Sequence, residues 1–255
     1  MVLTKKGVLC LTFDNMGSAA KVGRREVSGP DPKDRDLVLG YPRVLDLLDS
    51  LDLKATFFIE GWNALHHPEH VTELIKRGHE VGLHGWAHEV FHQLDRIDAE
   101  RVLIDALAAF RNIGVEPRGF RAPGGTRGKY TVEILQKLGL VYDSSVEDPA
   151  VTMTPRLLEG GIVNVPWQWP LIDYYQYYMH PDGPRTPAQL ESYWSAQLEQ
   201  AAAGAELITF IIHAFVSGVD DEHLSVIERL LRKAKADSRL EILTASEVAD
   251  RVQMD

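Results

Sequence analysis

The chain has 255 residues, 45% hydrophobic and 25% charged, with a net charge of -10, so it can bury a full core and suits one large α/β domain over residues 1–255. The acidic balance, without any block of Lys or Arg, leaves no electrostatic footprint for nucleic acid or an anionic membrane, and no apolar stretch is long enough to span a bilayer. Cys10 is the only cysteine and lies in an apolar run, which excludes an intrachain disulfide and predicts a buried, unreactive thiol. No basic segment, apolar stretch and cleavage site precede that run, so the expected location is cytoplasmic. A homo-oligomer is left open.

Short apolar runs at 8–13, 55–59, 80–83, 119–121, 141–142, 162–165, 207–212 and 240–243 predict strands. Helices are expected between them. Val44, Leu47, Leu48 and Leu51 follow one helical face after Pro42, and Leu224, Ile227, Leu231 and Ala234 do the same after Asp220 and Asp221. Gly78, Gly114 and Gly139 stand where helices should end, and Thr244 with Glu247 has the spacing of a capping box. Repeated strand–helix units predict a parallel (β/α) barrel, with a doubly wound open sheet as the alternative. The longest stretch without periodicity, 16–40, follows the first strand and is expected near the mouth of the site.

In parallel α/β proteins the functional mouth lies beyond the C-terminal ends of the strands. Here those ends carry Asp14 and Asn15, His84 with His88, Arg121, Asp143 and His213. Each has an ordinary structural explanation: a turn, a pair of hydrogen-bonded loop histidines, a surface ion pair, a helix cap, a satisfied interior histidine. Together on one rim they point to metal-assisted hydrolysis, in which a cation polarises a carbonyl, a carboxylate takes a proton and a histidine gives one. His84 and His88 are the candidate metal ligands, provided the chain turns helical after the strand and brings both imidazoles to one side. Nucleophilic catalysis has less support: Cys10 is inside a strand, and there is no G-x-S-x-G elbow.

A second motif overlaps the first, since His88-Glu-Val-Phe-His92 matches HExxH, the helical zinc site of metallopeptidases. It begins only five residues after the strand ends, so Glu89 and His92 are expected to be solvated or peripheral. His66, His67, His70, His79, His180 and His223 stand outside the strand-end pattern and are assigned no role.

With these residues assembled, the chain resembles the polysaccharide deacetylase (NodB homology) family, carbohydrate esterase family four. The resemblance rests on Leu11-Thr-Phe-Asp-Asn15, His84-Gly-Trp-Ala-His88, Arg121-Ala-Pro-Gly-Gly125, Asp143-Ser-Ser145 and Ile211-Ile-His213, in that order. It implies a distorted parallel barrel of about seven strands and hydrolysis of a non-peptide C–N bond, the N-acetyl group of a sugar. It also implies one divalent metal, zinc before other transition metals, held by Asn15, His84 and His88. By the same resemblance Asp14 is the base, Arg121 orients it, and His213 is the acid, tuned by Asp143. Pro123, Gly124 and Trp167 are the expected substrate contacts. Asn15 departs from the family pattern, which has a second aspartate there; a neutral oxygen binds a divalent cation more weakly than a carboxylate. Asp143-Ser-Ser145 also departs, lacking the tryptophan common in chitin and peptidoglycan deacetylases.

Two other readings stay open. An allantoinase-like or cyclic-imide hydrolase, acting on a small molecule, is motivated by Asp143-Ser-Ser145. A non-catalytic carbohydrate binder is motivated by the neutral Asn15.

Overall fold

The computed structural model describes residues 6–146 and 153–254. Its first strand, β1 (Gly7–Asp14), is buried along nearly its whole length, as a near-continuous apolar run in a parallel sheet should be. After β1 come α1 (Ala19–Gly23), α2 (Tyr41–Ser50), β2 (Thr56–Ile59), α3 (Gly61–His66), α4 (Pro68–Lys76), β3 (Glu80–Leu83) and α5 (Arg96–Asn112). Next are β4 (Gly119–Phe120), α6 (Thr131–Lys137), β5 (Tyr142–Asp143), β6 (Arg156–Leu157) and β7 (Val163–Asn164). Last are α7 (Pro187–Gly204), β8 (Leu207–Ile212), α8 (Asp221–Ala236), β9 (Leu240–Leu243) and α9 (Ala245–Met254).

The strand order is β6-β7-β5-β4-β3-β2-β1-β8, with every pair parallel except β6 with β7. β8 pairs with one edge of β1, with Leu9 opposite Ile208. On the other edge β9 takes Gly7 to Cys10 and β2 takes Thr12 to Asp14. That division curls the sheet into a half-barrel and sends the C-terminal ends of β1, β2, β3, β4 and β8 to one rim. The expected distorted barrel is therefore present. The antiparallel edge strand β6 was not expected, because its two residues are exposed and show no apolar alternation.

The helical stripes face inward: Val44, Leu47, Leu48 and Leu51 are buried, as are Ile227, Leu231 and Ala234. Trp194 of α7 lies fully buried against Phe210 of β8, with ring centroids 4.2 Å apart. Gly78, Gly114 and Gly139 take the left-handed conformation just past α4, α5 and α6, closing those helices at no steric cost. Thr244 and Glu247 form the expected reciprocal cap of α9. Cys10 is fully buried, and loss of solvation pushes its thiol up to about 12, so it is inert.

Candidate active site

At the rim, Asp14, Asn15, His84, His88, Arg121 and His213 line one cavity of about 400 Å³, together with Gly124 and Trp167. Asp143 and Pro123 are buried and do not line it.

His84 directly follows β3 and His88 comes on a turn, not on the expected helix. Gly85 and His88 both have positive φ, 76° and 70°, and these two left-handed residues fold the chain back until the imidazole centroids stand 5.2 Å apart. Glu89 stabilises the fold-back, its carboxylate accepting the Trp86 and Ala87 N–H groups at 2.9 Å. It is therefore committed to the turn. Val90 is non-helical and His92 is exposed on a short 3-10 turn, so the HExxH string never forms the helical face that a zinc peptidase needs.

His84 Nδ1 lies 2.9 Å from the Arg121 carbonyl, an acceptor that places the proton on Nδ1 and leaves Nε2 as a lone-pair donor. Burial first, then neighbouring charge, lowers both His84 and His88 to about 3, so both are neutral imidazoles at physiological pH. Asn15, at φ 66°, has its N–H bonded to the Phe58 carbonyl at 3.1 Å and its own carbonyl bonded by the Tyr41 hydroxyl. Its side-chain amide makes no hydrogen bond among the described residues, and Asn15 lines the cavity. Among the described residues no group of three His, Cys, Asp or Glu could hold a metal ion. The candidate donors on this cavity wall are accordingly two neutral imidazoles and one amide oxygen, whose chemistry suits a divalent cation but less strongly than a set with a carboxylate.

Asp14 accepts from Arg121 Nη1 at 2.6 Å. The guanidinium is 1% exposed, which excludes the surface ion pair, and it is held from every side. Nη1 also donates to Thr12 Oγ1 at 2.8 Å, Nη2 to Ser144 Oγ at 2.8 Å and Nε to the Ser144 carbonyl at 3.1 Å, while the Phe58 ring lies 4.2 Å away.

The expected pairing of His213 with Asp143 is not what the structure shows. His213 Nδ1 is 2.7 Å from Asp173 Oδ1, and the His213 N–H and Ser217 Oγ donate to Asp173 Oδ2 at 3.0 and 2.6 Å. Burial pushes His213 down, but the adjacent Asp173 carboxylate outweighs it and the net shift is upward. Asp143 instead binds Arg127 and accepts from Ser145 Oγ at 2.6 Å, bracing the loop that carries Arg121. The physical reason is topological. Asp143 closes β5, whereas the segment after β7 folds back beside β8, where Ile172 bridges Ile211 and carries Asp173 to His213. Sequence reading missed Asp173; its only sign was one carboxylate inside the apolar and aromatic run from Trp169 to Tyr175.

Trp167 Nε1 donates to the Ser144 carbonyl at 2.8 Å, and Trp169 packs edge-on against it at 5.3 Å. Gly125 permits this wall, since a β-carbon there would stand 2.4 Å from the Trp167 ring. Opposite, Gly17, Ala20, Lys21, Arg24 and Asp34 from the non-periodic segment complete the cavity.

Later in that segment, Asp36 is buried and its carboxyl is pushed up to about 7, chiefly by loss of solvation. A proton held in the fold up to about pH 7 but released from the unfolded chain above 3.8 makes stability fall as pH rises between those values, by on the order of 4 kcal/mol. Urea unfolding of wild type and Asp36→Asn should show the wild type losing ground over that interval. A constant difference would exclude a protonated Asp36.

A carboxylate held by a buried guanidinium, an imidazole held by a buried carboxylate and two neutral imidazoles around one cavity, at the C-terminal rim of a parallel half-barrel, define a hydrolase-type (β/α) site. The sequence matches the family described as Polysaccharide deacetylase over residues 2–142, more than half of the chain, and the protein belongs to that family. A peptidoglycan deacetylase of Helicobacter pylori is 32% identical over 149 residues, which is 57% of this chain and 48% of that protein. The chain thus spans about half the length of that relative. Among solved structures, a putative polysaccharide deacetylase from Mycobacterium smegmatis aligns over 100% of this chain and 93% of its own, at 26% identity and a TM-score of 0.87. PuuE allantoinase shares the fold with a TM-score of 0.82 at 15% identity, over 99% of this chain and 92% of its own.

Proposed function

We propose that this protein hydrolyses a non-peptide C–N bond, removing the acetyl group from an N-acetylated sugar. The observation that carries the reading is that Asp14 and His213, each fixed by its own buried partner, line the same cavity as His84, His88 and Asn15. Asp14, oriented by Arg121, takes the proton of the attacking water. His213 is oriented by Asp173, and its Nε2 gives a proton to the departing nitrogen. His84, His88 and Asn15 are the residues that would hold a divalent metal, zinc in the first instance. Such an ion supplies Lewis acidity toward the substrate carbonyl. Trp167, Trp169, Tyr174 and Tyr175 offer ring faces against which a sugar can lie. The name of the Helicobacter relative supports a glycan substrate.

A second reading, hydrolysis of a small cyclic imide or ureide, is favoured by the segment from Gly17 to Asp34, which limits the cavity to about 400 Å³. Metal analysis combined with turnover of N-acetylglucosamine oligomers, N-acetylmuramyl compounds and cyclic imides decides between them. We expect acetate release from the sugars, a loss of at least about tenfold on chelation, and recovery with Zn²⁺. Product from cyclic imides alone would select the second reading, and saturable binding without product would leave a carbohydrate binder.

A further inference from the structure

We propose that Glu60 and Asp36 are positioning residues that clamp the turn carrying Asn15, and through it the Asp14 carboxylate; this rests on the catalytic reading of that rim. The turn leaves β1 through two residues of positive φ, Asn15 at 66° and Gly17 at 51°, a path that local propensity does not enforce. Four of its backbone polar groups are held, each by a different residue from elsewhere in the chain. The Asn15 N–H meets the end of β2 at Phe58, and its carbonyl meets Tyr41 of α2. The next two N–H groups, where a helix would begin, go to buried carboxyls: Met16 N–H to Glu60 Oε2 at 3.2 Å and Gly17 N–H to Asp36 Oδ2 at 2.7 Å.

Glu60 is 0% exposed and stands at the start of α3, where Asn63 Nδ2 also donates to Oε2 at 2.9 Å. Glu60 Oε1 and Asp36 Oδ1 find no protein partner among the described residues. Burial raises both carboxyls, Glu60 well above the usual carboxylate range, so each presents a neutral acid whose carbonyl oxygen accepts the backbone N–H. A neutral acid is nearly isosteric with an amide. Glutamine at 60 or asparagine at 36 can therefore keep the clamp, whereas alanine cannot. Two buried carboxyls that each accept an N–H of the turn beside Asp14, in a region where a smaller apolar residue would bury more cheaply, are accounted for by the need to hold that turn.

The test compares Glu60→Gln, Glu60→Ala, Asp36→Asn and Asp36→Ala with wild type in the full chain. Measurements are amide hydrogen exchange of residues 14–18, Zn²⁺ affinity by calorimetry, and separate kcat and KM for deacetylation. We expect both alanine variants to speed exchange in that segment, weaken Zn²⁺ about 10- to 100-fold and lower kcat by a similar factor with KM little changed, while the amide variants restore all three. Folded alanine variants with wild-type exchange and kcat overturn the clamp. So do amide variants as impaired as alanine, which would mean an ionised carboxylate is required. If an alanine variant does not fold, the amide variant and the partner position decide. A wild type without turnover overturns the functional reading instead, and exchange and Zn²⁺ affinity then judge the clamp alone.

Discussion

Asp14→Asn should lower kcat by about 10²- to 10⁴-fold, because it removes the proposed base for the attacking water while leaving the cavity intact. The substitution also leaves the buried Arg121 without its carboxylate, a change that costs about 3–5 kcal/mol in buried pairs. The chain should still fold. Arg121 keeps Thr12 Oγ1, both Ser144 oxygens and the Phe58 ring, so the guanidinium is not stranded. His213→Ala should lose turnover to a similar degree with a smaller loss of stability. Circular dichroism and single-turnover assays check both, and normal turnover in either folded variant would remove that residue from the proposed chemistry.

Asp173→Asn should be nearly as damaging as His213→Ala, and it separates the observed partner from the expected one. His213 N–H, Tyr174 N–H and Ser217 Oγ all donate to Asp173, and its other contact is His213 Nδ1. A carboxylate accepts from all four, but an amide must turn its NH₂ toward one donor pair, leaving two donors face to face. His213 thereby loses both its fixed orientation and the charge that raises its pKa. A general acid is active below its pKa, and removing the raising carboxylate lets burial dominate, so the alkaline limb of the rate profile should move to lower pH. kcat should fall by about 10²-fold or more.

Asp143→Asn should behave differently. It breaks the buried contact with Arg127 and costs about 3–5 kcal/mol of stability, while the alkaline limb stays in place. Measuring kcat against pH for both variants distinguishes the two carboxylates. A shift in Asp143→Asn and none in Asp173→Asn would reverse the assignment made from the geometry.

Residues whose roles follow from local pattern are legible in the sequence. Strand positions such as Val8 to Phe13, helix faces such as Val44 to Leu51, and terminators such as Gly114 depend on periodicity and backbone preference, which are written into neighbouring residues. The strand-end rule likewise places Asp14, Asn15, His84, Arg121 and His213 on one rim, because a parallel sheet sends every C-terminal end the same way. The order of those motifs makes the family resemblance visible, and the match over residues 2–142 bears it out.

Partner choice among the buried charges is not legible there. Asp143 and Asp173 are both fully buried carboxylates, and nothing in their neighbours says which one faces His213. That depends on the chain after β7 crossing back to β8, a contact between Ile172 and Ile211 far apart in sequence. The turn at His84 to His88 departs from the expected helix because two left-handed residues, one of them not glycine, override local preference once Glu89 folds back over the Trp86 and Ala87 N–H groups. The sequence by itself determined the parallel α/β architecture, the rim and the residue types gathered there. Only the tertiary structure decided how the acids are shared out, Asp14 to Arg121, Asp173 to His213, Asp143 to Arg127, and Glu60 and Asp36 to the turn after β1, because buried charges and N–H groups are matched by proximity in space, and proximity comes from how the sheet curls.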